Sequence, residues 1–358
     1  MEPVEAANAR RLCYSANAMS DELRVAVIGC GHWGPNLVRN FASLRTVKVS
    51  AVCDARAEAV ERVAQQQAPG ARVFTDYHEL LAANLAEAVV IATPPMTHTQ
   101  LVGDALCAGL HVLVEKPLAM SVTDCQQLAA LAEARQRTLM VGHVFRYNDA
   151  VIRIKEILDA GDLGDLLYVH SKRVNLGRIQ TDLNALWSFA PHDLSILRYW
   201  LGADPVRVSA RGFSCLHSEV EDVAFVILDY PGHIRAHLHL SWLDPKKVRE
   251  MTLVGSRQML VYDDVSADAK LQIHDKGVEA APDAHSFGEL MTHVRAGDLL
   301  IPHLTVTEPL RKECTHFVEC CRTGATPLTD ARDGLAVVRV LEAAAQSMQR
   351  DGAIVELA

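Results

Sequence analysis

Short unbroken apolar runs alternate along the chain with segments whose apolar positions recur every three or four residues, and the pattern begins at Arg24. The runs at 24–28, 47–53, 88–92 and 111–114 predict buried parallel strands, because a strand covered on both faces has no polar side to show. Between them, 36–44, 56–67 and 77–83 carry the helical period, 73–74 makes a brief strand, a further helix runs through Leu106, and 139–142 closes the series. Strand and helix taking turns predict an α/β domain on a parallel sheet.

After Tyr147 the pattern changes. A helix at 150–158 leads into longer segments that alternate apolar with polar residues and are joined by turns, at 167–174, 206–213, 224–229, 233–240, 247–254 and 259–262. Such a run predicts an open, mainly antiparallel sheet with helices on one face. An apolar outer face would need cover from a second copy, so a homodimer or homotetramer is expected. The fold class is thus α/β throughout, divided into an expected disordered tail at 1–22, a first domain at 23–146 and a second at 147–358. A length of 358 residues with 49% apolar content supports two cores of this size.

Charge and cysteine content narrow the chemistry. A formal net charge of −9 argues against nucleic acid as a partner, while a few clustered arginines remain able to hold a small anion. The nine cysteines form neither a CxxC pair nor a zinc-spaced cluster, so they read as reduced thiols and no metal site is expected. Cys314, Cys320 and Cys321 fit small apolar positions of a helix. Neither a leader-like run nor a stretch of ~20 apolar residues is present, which predicts a cytoplasmic protein with no membrane partner. Met19 precedes the first strand closely enough to be an alternative start.

Gly29-Cys30-Gly31-His32-Trp33-Gly34 follows an apolar strand and opens a helix, the setting in which a GxGxxG loop cradles a pyrophosphate. The first glycine permits the turn, the second lets backbone approach the phosphates, and the third packs helix on strand. The next strand ends in Asp54, twenty positions after Gly34, where a carboxylate accepts from ribose hydroxyls and repels a 2′-phosphate. NAD is therefore favoured over NADP, although Arg56 is placed to stack on adenine or to meet a 2′-phosphate. The first domain reads as an NAD-binding Rossmann domain.

Three further elements join the loop: Thr93-Pro94-Pro95 with His98 after one strand, Glu115-Lys116-Pro117 after the next, and Trp187-Ser188-Phe189-Ala190-Pro191-His192-Asp193 in the second half. In this order they resemble the glucose-fructose oxidoreductase / inositol dehydrogenase (Gfo/Idh/MocA) family over nearly the whole chain from Arg24. The resemblance implies a substrate held between the domains over the nicotinamide, with Lys116 as the active-site lysine and His192 as the matching histidine. It also implies cofactor contacts from the glycine loop, Asp54, Arg56, Thr93, Pro94, His98, Glu115 and Lys116. Many relatives place an acid four residues before that histidine; Ser188 stands there, which leaves the proton acceptor open.

The residues themselves support the pair. Lys116 follows an apolar strand, so its ammonium should emerge at the carboxyl end of the sheet, where it can steady a developing alkoxide. An exposed surface lysine is the bland alternative. His192 has the right intrinsic basicity to accept a hydroxyl proton, and a core or helix-start histidine is its alternative. Asp193 either orients His192 or caps the following helix, with capping preferred. His143, Arg146, Tyr147 and Asn148 fall where the sheet meets the second domain and are candidate substrate contacts. A structural role is the equal alternative for His143.

The Arg and Asn side chains of Arg173, Asn175, Arg178 and Asn184, with Asp182 among them, offer planar donors to a phosphate or a carboxylate and hydrogen bonds to sugar hydroxyls. Segments 241–245 and 262–264, with Arg249 and Gly255-Ser256, are candidates for the pocket or a subunit contact. Gly34-Pro35-Asn36-Leu37, Arg173-Val174-Asn175-Leu176-Gly177 and Ser241-Trp242-Leu243-Asp244-Pro245 are similar to a narrower branch, the nucleotide-sugar 3-dehydrogenases, such as those for UDP-N-acetylglucosamine. That branch implies oxidation of a sugar 3-hydroxyl to a ketone, commonly ahead of an aminotransferase in polysaccharide or lipid A biosynthesis. Alternatives are a ketosugar reductase using NAD(P)H, a free-sugar or inositol dehydrogenase, and a dinucleotide-binding redox sensor without turnover.

Overall fold

The computed structural model describes residues 22–177, 183–216, 220–279 and 293–357. The expected tail lies outside the described residues up to position 21, as do Arg178 and Asp182.

The first sheet is assembled from β1 (Leu23–Ile28), β2 (Val47–Cys53), β3 (Arg72–Phe74), β4 (Ala88–Ile91), β5 (His111–Glu115) and β6 (Leu139–Gly142). They lie in the order β3-β2-β1-β4-β5-β6 with every pair parallel. This is the Rossmann order, in which the direction of winding reverses between β1 and β4 and opens a crevice beyond their carboxyl ends. All four residues of β4 are buried, as continuous apolar runs require. The connecting helices are α1 (Gly34–Ala42), α2 (Ala57–Gln67), α3 (Tyr77–Ala82), α4 (His98–Cys107) and α5 (Val122–Ala134). Helix α1 starts two residues before the predicted position. Pro35 suits a first turn, where its missing N–H is not needed.

The second half continues through α6 (Asp149–Asp159), β7 (Leu166–Val174), α7 (Ala185–Leu201), β8 (Arg207–Phe213), β9 (Val223–Asp229), β10 (Arg235–Ser241), β11 (Val248–Gly255) and β12 (Met259–Asp263). Then come β13 (Leu271–Glu279), β14 (His293–Leu300), α8 (Pro309–Thr323), α9 (Ala331–Gln349) and β15 (Val355–Glu356). The strands make one sheet ordered β14-β13-β12-β11-β7-β10-β9-β8-β15, antiparallel except for the β7–β10 pair.

One face of this sheet packs on helices: Ala224, Val226 and Leu228 of β9 and Ala236, Leu238 and Leu240 of β10 join the core with α7 and α9 residues. The other face presents Tyr168, Phe225 and Ile227, and Phe225 stacks on His239 at 4.6 Å between centroids.

The last two helices return to the first sheet. Phe317 of α8 meets Phe41 of α1 edge-on, both fully buried, and burying each such ring contributes roughly 1.5–3 kcal/mol. Glu308, the residue before α8, accepts from Arg39 and Asn40 of α1. The three predicted helical cysteines do lie on α8, and no described cysteine is in a disulfide.

Candidate active site

The glycine loop has the stereochemistry its spacing demands. Gly29 takes φ +101°, and a Cβ there would sit 2.5 Å from the Ala92 carbonyl oxygen. At Gly34 a Cβ would fall 1.8 Å from the Gly29 oxygen, so any side chain would push α1 off the loop. Gly31 is different: a Cβ would meet only an Arg56 nitrogen at 3.6 Å, which leaves the backbone open toward the cleft. That cleft, of about 990 Å³, is lined by Gly29, Gly31, His32, Trp33, Asp54, Arg56, Thr93 and Pro94, as the sequence suggested. Thr97, from the segment after β4, also lines it, as do Thr75, Asp76, Tyr77, Met96 and Gln100, to which no motif pointed. Its size, its place at the β1/β4 crossing and the bare Gly31 backbone fit a dinucleotide.

Asp54 sits at the far end of the loop. One carboxylate oxygen accepts from the Cys30 N–H at 2.7 Å, and the other accepts from the Arg56 N–H and Nε at 2.9 and 3.0 Å. Burial pushes this carboxyl up, but the hydrogen bonds from Arg56 and Cys30 outweigh it and hold the group below its ordinary range. The anion needed to reject a 2′-phosphate is therefore in place. Arg56 is largely exposed, with its Nε and Nη2 on the Asp54 carboxylate.

His98 has a different task from the expected cofactor contact. It is fully buried, with Nδ1 2.7 Å from the Pro117 carbonyl and Nε2 3.0 Å from the Thr93 carbonyl. The ring ties the loop after β4 to the segment after β5 and has no atom left for a ligand.

Lys116 emerges at the end of β5, as expected, and its ammonium donates to the Ser188 backbone carbonyl at 3.0 Å. Pro191 lies inside α7, where it withdraws an N–H from the helix ladder and crowds the preceding turn, the turn that carries Ser188. The anchor of the lysine is thus main chain. Burial lowers the lysine's pKa, the neighbouring Glu115 opposes that, and Arg173 adds to it. Glu115 itself is raised to about 7 by burial, against Lys116 and a hydrogen bond from the Trp33 side chain.

His192 lies one helical turn beyond Ser188 on α7, its ring edge-on to Phe145 at 5.0 Å. Burial holds it well below the ordinary histidine range, with Lys116, Arg173, Arg249 and His143 all opposing its protonation. Its Nδ1 is buried and has no hydrogen-bond partner among the described residues. The ring is thus a neutral acceptor beside an ammonium.

Asp193 corrects the preference for a cap. It lies inside α7, fully buried, and accepts from Arg173 Nε and Nη2 at 2.8 and 2.6 Å and from Ser171 at 3.0 Å. The cap of α7 is Asn184, whose side chain accepts from the Trp187 N–H. Arg173 is correspondingly no loop donor: it is a buried strand residue stacked over Phe145 at 4.8 Å, its charge answered by Asp193. Asn175 follows β7, half-buried, with its N–H given to the Ser241 carbonyl.

The segment after β6 also departs from expectation. Arg146 donates to Asp333 and lies over the Tyr199 ring at 4.3 Å. Tyr147 is buried against His316, its hydroxyl 3.5 Å from Thr329, and Asn148 caps α6 through the Ala150 N–H. All three tie elements together, Arg146 through one guanidinium nitrogen. His143 alone of the four stays beside Lys116, pushed down to about 3 by burial, with Arg146, Lys116 and Arg198 adding to it. Asp333 and the buried Glu313, both on the C-terminal helices, reach this region without any sequence signal.

No group of His, Cys, Asp or Glu that could hold a metal ion occurs among the described residues, and no described helix is long and apolar enough to cross a membrane.

Comparison with known proteins gives the same picture. Residues 23–143 match the family model described as an oxidoreductase family with an NAD-binding Rossmann fold, and residues 151–261 match the GFO/IDH/MocA C-terminal domain. Inositol 2-dehydrogenase of Salmonella typhimurium is 27% identical over 213 residues, 58% of this chain. The match spans 63% of that relative, just under two thirds of its length. The crystal structure of GenD2 from gentamicin A biosynthesis, in complex with NAD, superposes with a TM-score of 0.80 at 25% identity over 97% of this chain and 100% of its own. UDP-N-acetylglucosamine 3-dehydrogenase from Acidithiobacillus ferrooxidans shares the fold, with a TM-score of 0.76 at 24% identity over 92% of this chain and 99% of its own. With both halves matched in order and the dinucleotide cleft formed, the chain belongs to the Gfo/Idh/MocA family of NAD-binding oxidoreductases.

Proposed function

We propose that the protein oxidises a secondary alcohol of a sugar or polyol, and that its substrate is a nucleotide sugar such as UDP-N-acetylglucosamine, oxidised at the 3-hydroxyl. The observation that carries the oxidation is that the Lys116 ammonium reaches the Ser188 carbonyl, one turn before His192 on α7, while the adjoining Glu115 takes a hydrogen bond from Trp33 of the cleft. NAD supplies the hydride acceptor when bound, held by the glycine loop and Asp54. Lys116 donates to the substrate oxygen and stabilises the charge that grows there as hydride leaves. His192, neutral in its buried site, accepts the hydroxyl proton. The ammonium lowers the hydroxyl's own pKa, so a weakened imidazole still suffices as the acceptor.

The nucleotide carrier and the 3-position rest on the resemblance of the segments around Asn36, Arg173 and Trp242 to the nucleotide-sugar 3-dehydrogenases. A ketone made there suits a later aminotransferase. Inositol or a free sugar is the second reading, favoured by the match to inositol 2-dehydrogenase. The exposed Tyr168, Phe225 and Ile227 of the second sheet support a homodimer or homotetramer closed over that face. A division into an NAD-binding part up to residue 146 and a substrate part beyond it goes with this reading.

The test is purified protein with NAD and a panel of UDP-sugars, followed by reduced-nicotinamide absorbance with a carbonyl trap to draw the equilibrium forward. Reduction with a UDP-sugar is expected. Turnover of myo-inositol or a free hexose, with silence on every UDP-sugar, would refute the nucleotide-sugar assignment.

A further inference from the structure

His143 follows directly on β6 and is 1% exposed, yet neither ring nitrogen has a hydrogen-bond partner among the described residues. Its Nε2 lies 3.9 Å from Asp333 Oδ2, an oxygen that is itself buried and unpartnered. The other Asp333 oxygen accepts from Arg146 at 3.2 Å and Arg198 at 3.1 Å, and the Asp333 N–H is given to Asp330 at the start of α9. One carboxylate thus gathers the segment after β6, helix α7 and helix α9. Two residues beyond His143, Phe145 packs on the ring of His192. The charged and titratable groups that face His143 are Lys116 from the end of β5, Arg146 from its own segment, Arg198 and His192 from α7, and Asp333 from α9.

Leaving buried polar atoms unpaired costs free energy, so a histidine kept only to fill space would be better replaced by phenylalanine or leucine. Two orphaned nitrogens next to an orphaned carboxylate oxygen need another account. We propose that Asp333 and His143 form a carboxylate–imidazole pair that positions the proton-transfer site: Asp333 holds the proton on Nε2, leaving Nδ1 as an acceptor beside Lys116 and His192. A side-chain shift of roughly 0.7–1.2 Å would bring the pair from 3.9 Å to hydrogen-bond length. A carboxylate on one ring nitrogen is the ordinary means of fixing which tautomer an imidazole adopts. His143 is sealed from the cleft, so it acts through Lys116 and His192 and is a positioning residue. The inference rests on the reading of those two residues as the pair that handles the substrate's proton.

Two measurements test it. The first needs no substrate: ¹⁵N-histidine NMR of the full-length protein, with the His143 signals assigned by difference from His143→Asn. A neutral ring protonated on Nε2 between pH 6 and 8 is expected in the wild type; an Nδ1-protonated ring overturns the proposal. The second is turnover with NAD and UDP-N-acetylglucosamine for His143→Asn, His143→Gln and His143→Leu. Asparagine places an amide near the Nδ1 position and glutamine near Nε2. Asn should keep kcat within ~5-fold, while Gln and Leu lose ~10–100-fold, the usual effect of removing an outer orienting partner, with KM and the Kd for NAD little changed. Asp333→Asn should lower kcat similarly, and its effect should vanish in the His143→Leu background because the two act as one unit. Unchanged kcat in His143→Leu, or additive losses in the double variant, overturns the proposal. If the wild type turns over no UDP-sugar, the substrate assignment fails while the NMR arm still decides the tautomer. If Asp333→Asn does not fold, the Asn/Gln/Leu series decides the role.

Discussion

Asp193→Asn removes one charge from a pair in which Arg173 is 5% and Asp193 0% exposed. Three hydrogen bonds end on the Asp193 carboxylate, two from Arg173 and one from Ser171. An uncompensated guanidinium would remain in the core, and breaking one partner of such a buried pair costs about 3–5 kcal/mol. At ~2–4 °C per kcal/mol for a folding unit of 150–250 residues, the melting temperature should drop by roughly 6–20 °C. Thermal denaturation followed by circular dichroism, at fixed scan rate and without NAD, measures it. The companion variant Arg173→Met/Asp193→Leu fills the same space with apolar atoms and should recover most of the loss, since well-packed hydrophobic replacements of buried pairs are often neutral or better. A single variant that melts within 2 °C of wild type would refute the reasoning, as would a double variant worse than the single.

Lys116→Ala and His192→Ala should each lower turnover ~100-fold or more while leaving the Kd for NAD, measured by fluorescence quenching, near normal. Gly34→Ala places a methyl group 1.8 Å from the Gly29 oxygen and should abolish NAD binding in the same titration. Asp54→Ala removes the anion that repels a 2′-phosphate and should raise the NADP to NAD ratio of kcat/KM by ~10-fold or more, about 1.4 kcal/mol of discrimination. The pH dependence of stability has a defined sign at His143: the unfolded ring takes a proton near 6.5, the folded one only near 3, so the unfolded state binds more protons between those values. Stability should therefore fall as pH drops through that window, by up to about 1.4 kcal/mol per unit for this ring. His143→Leu should flatten the slope of melting temperature between pH 6.5 and 4.

The parallel sheet was legible because its strands are buried on both faces and read as unbroken apolar runs, with β4 the clearest. β13 and β14 were not, because Leu271–Glu279 and His293–Leu300 mix charges and glycines at the end of the second sheet, where residues 296–300 are exposed on both faces. β15 is only two residues long and exists by pairing with β8. At the site, the glycine loop and Asp54 stand at a spacing that predicts a dinucleotide, whereas Lys116 and His192 were picked out by the resemblance of their segments to a family. The protein contacts of Arg146, Tyr147 and Asn148 were not legible, because adjacency in sequence does not reveal what polar atoms bind. Asp333 was invisible for a simpler reason: it meets Arg146 across 187 positions of chain, and only the return of α9 to the first sheet brings them together.

The hold on Lys116 comes from the Ser188 carbonyl, an atom that every amino acid carries. A lysine moored to main chain is indifferent to the side chain that hangs from its mooring. Position 188 can therefore change between acid and hydroxyl without removing the atom that holds the ammonium. A search that demands a carboxylate at that position would discard this chain for lacking a residue its lysine does not use.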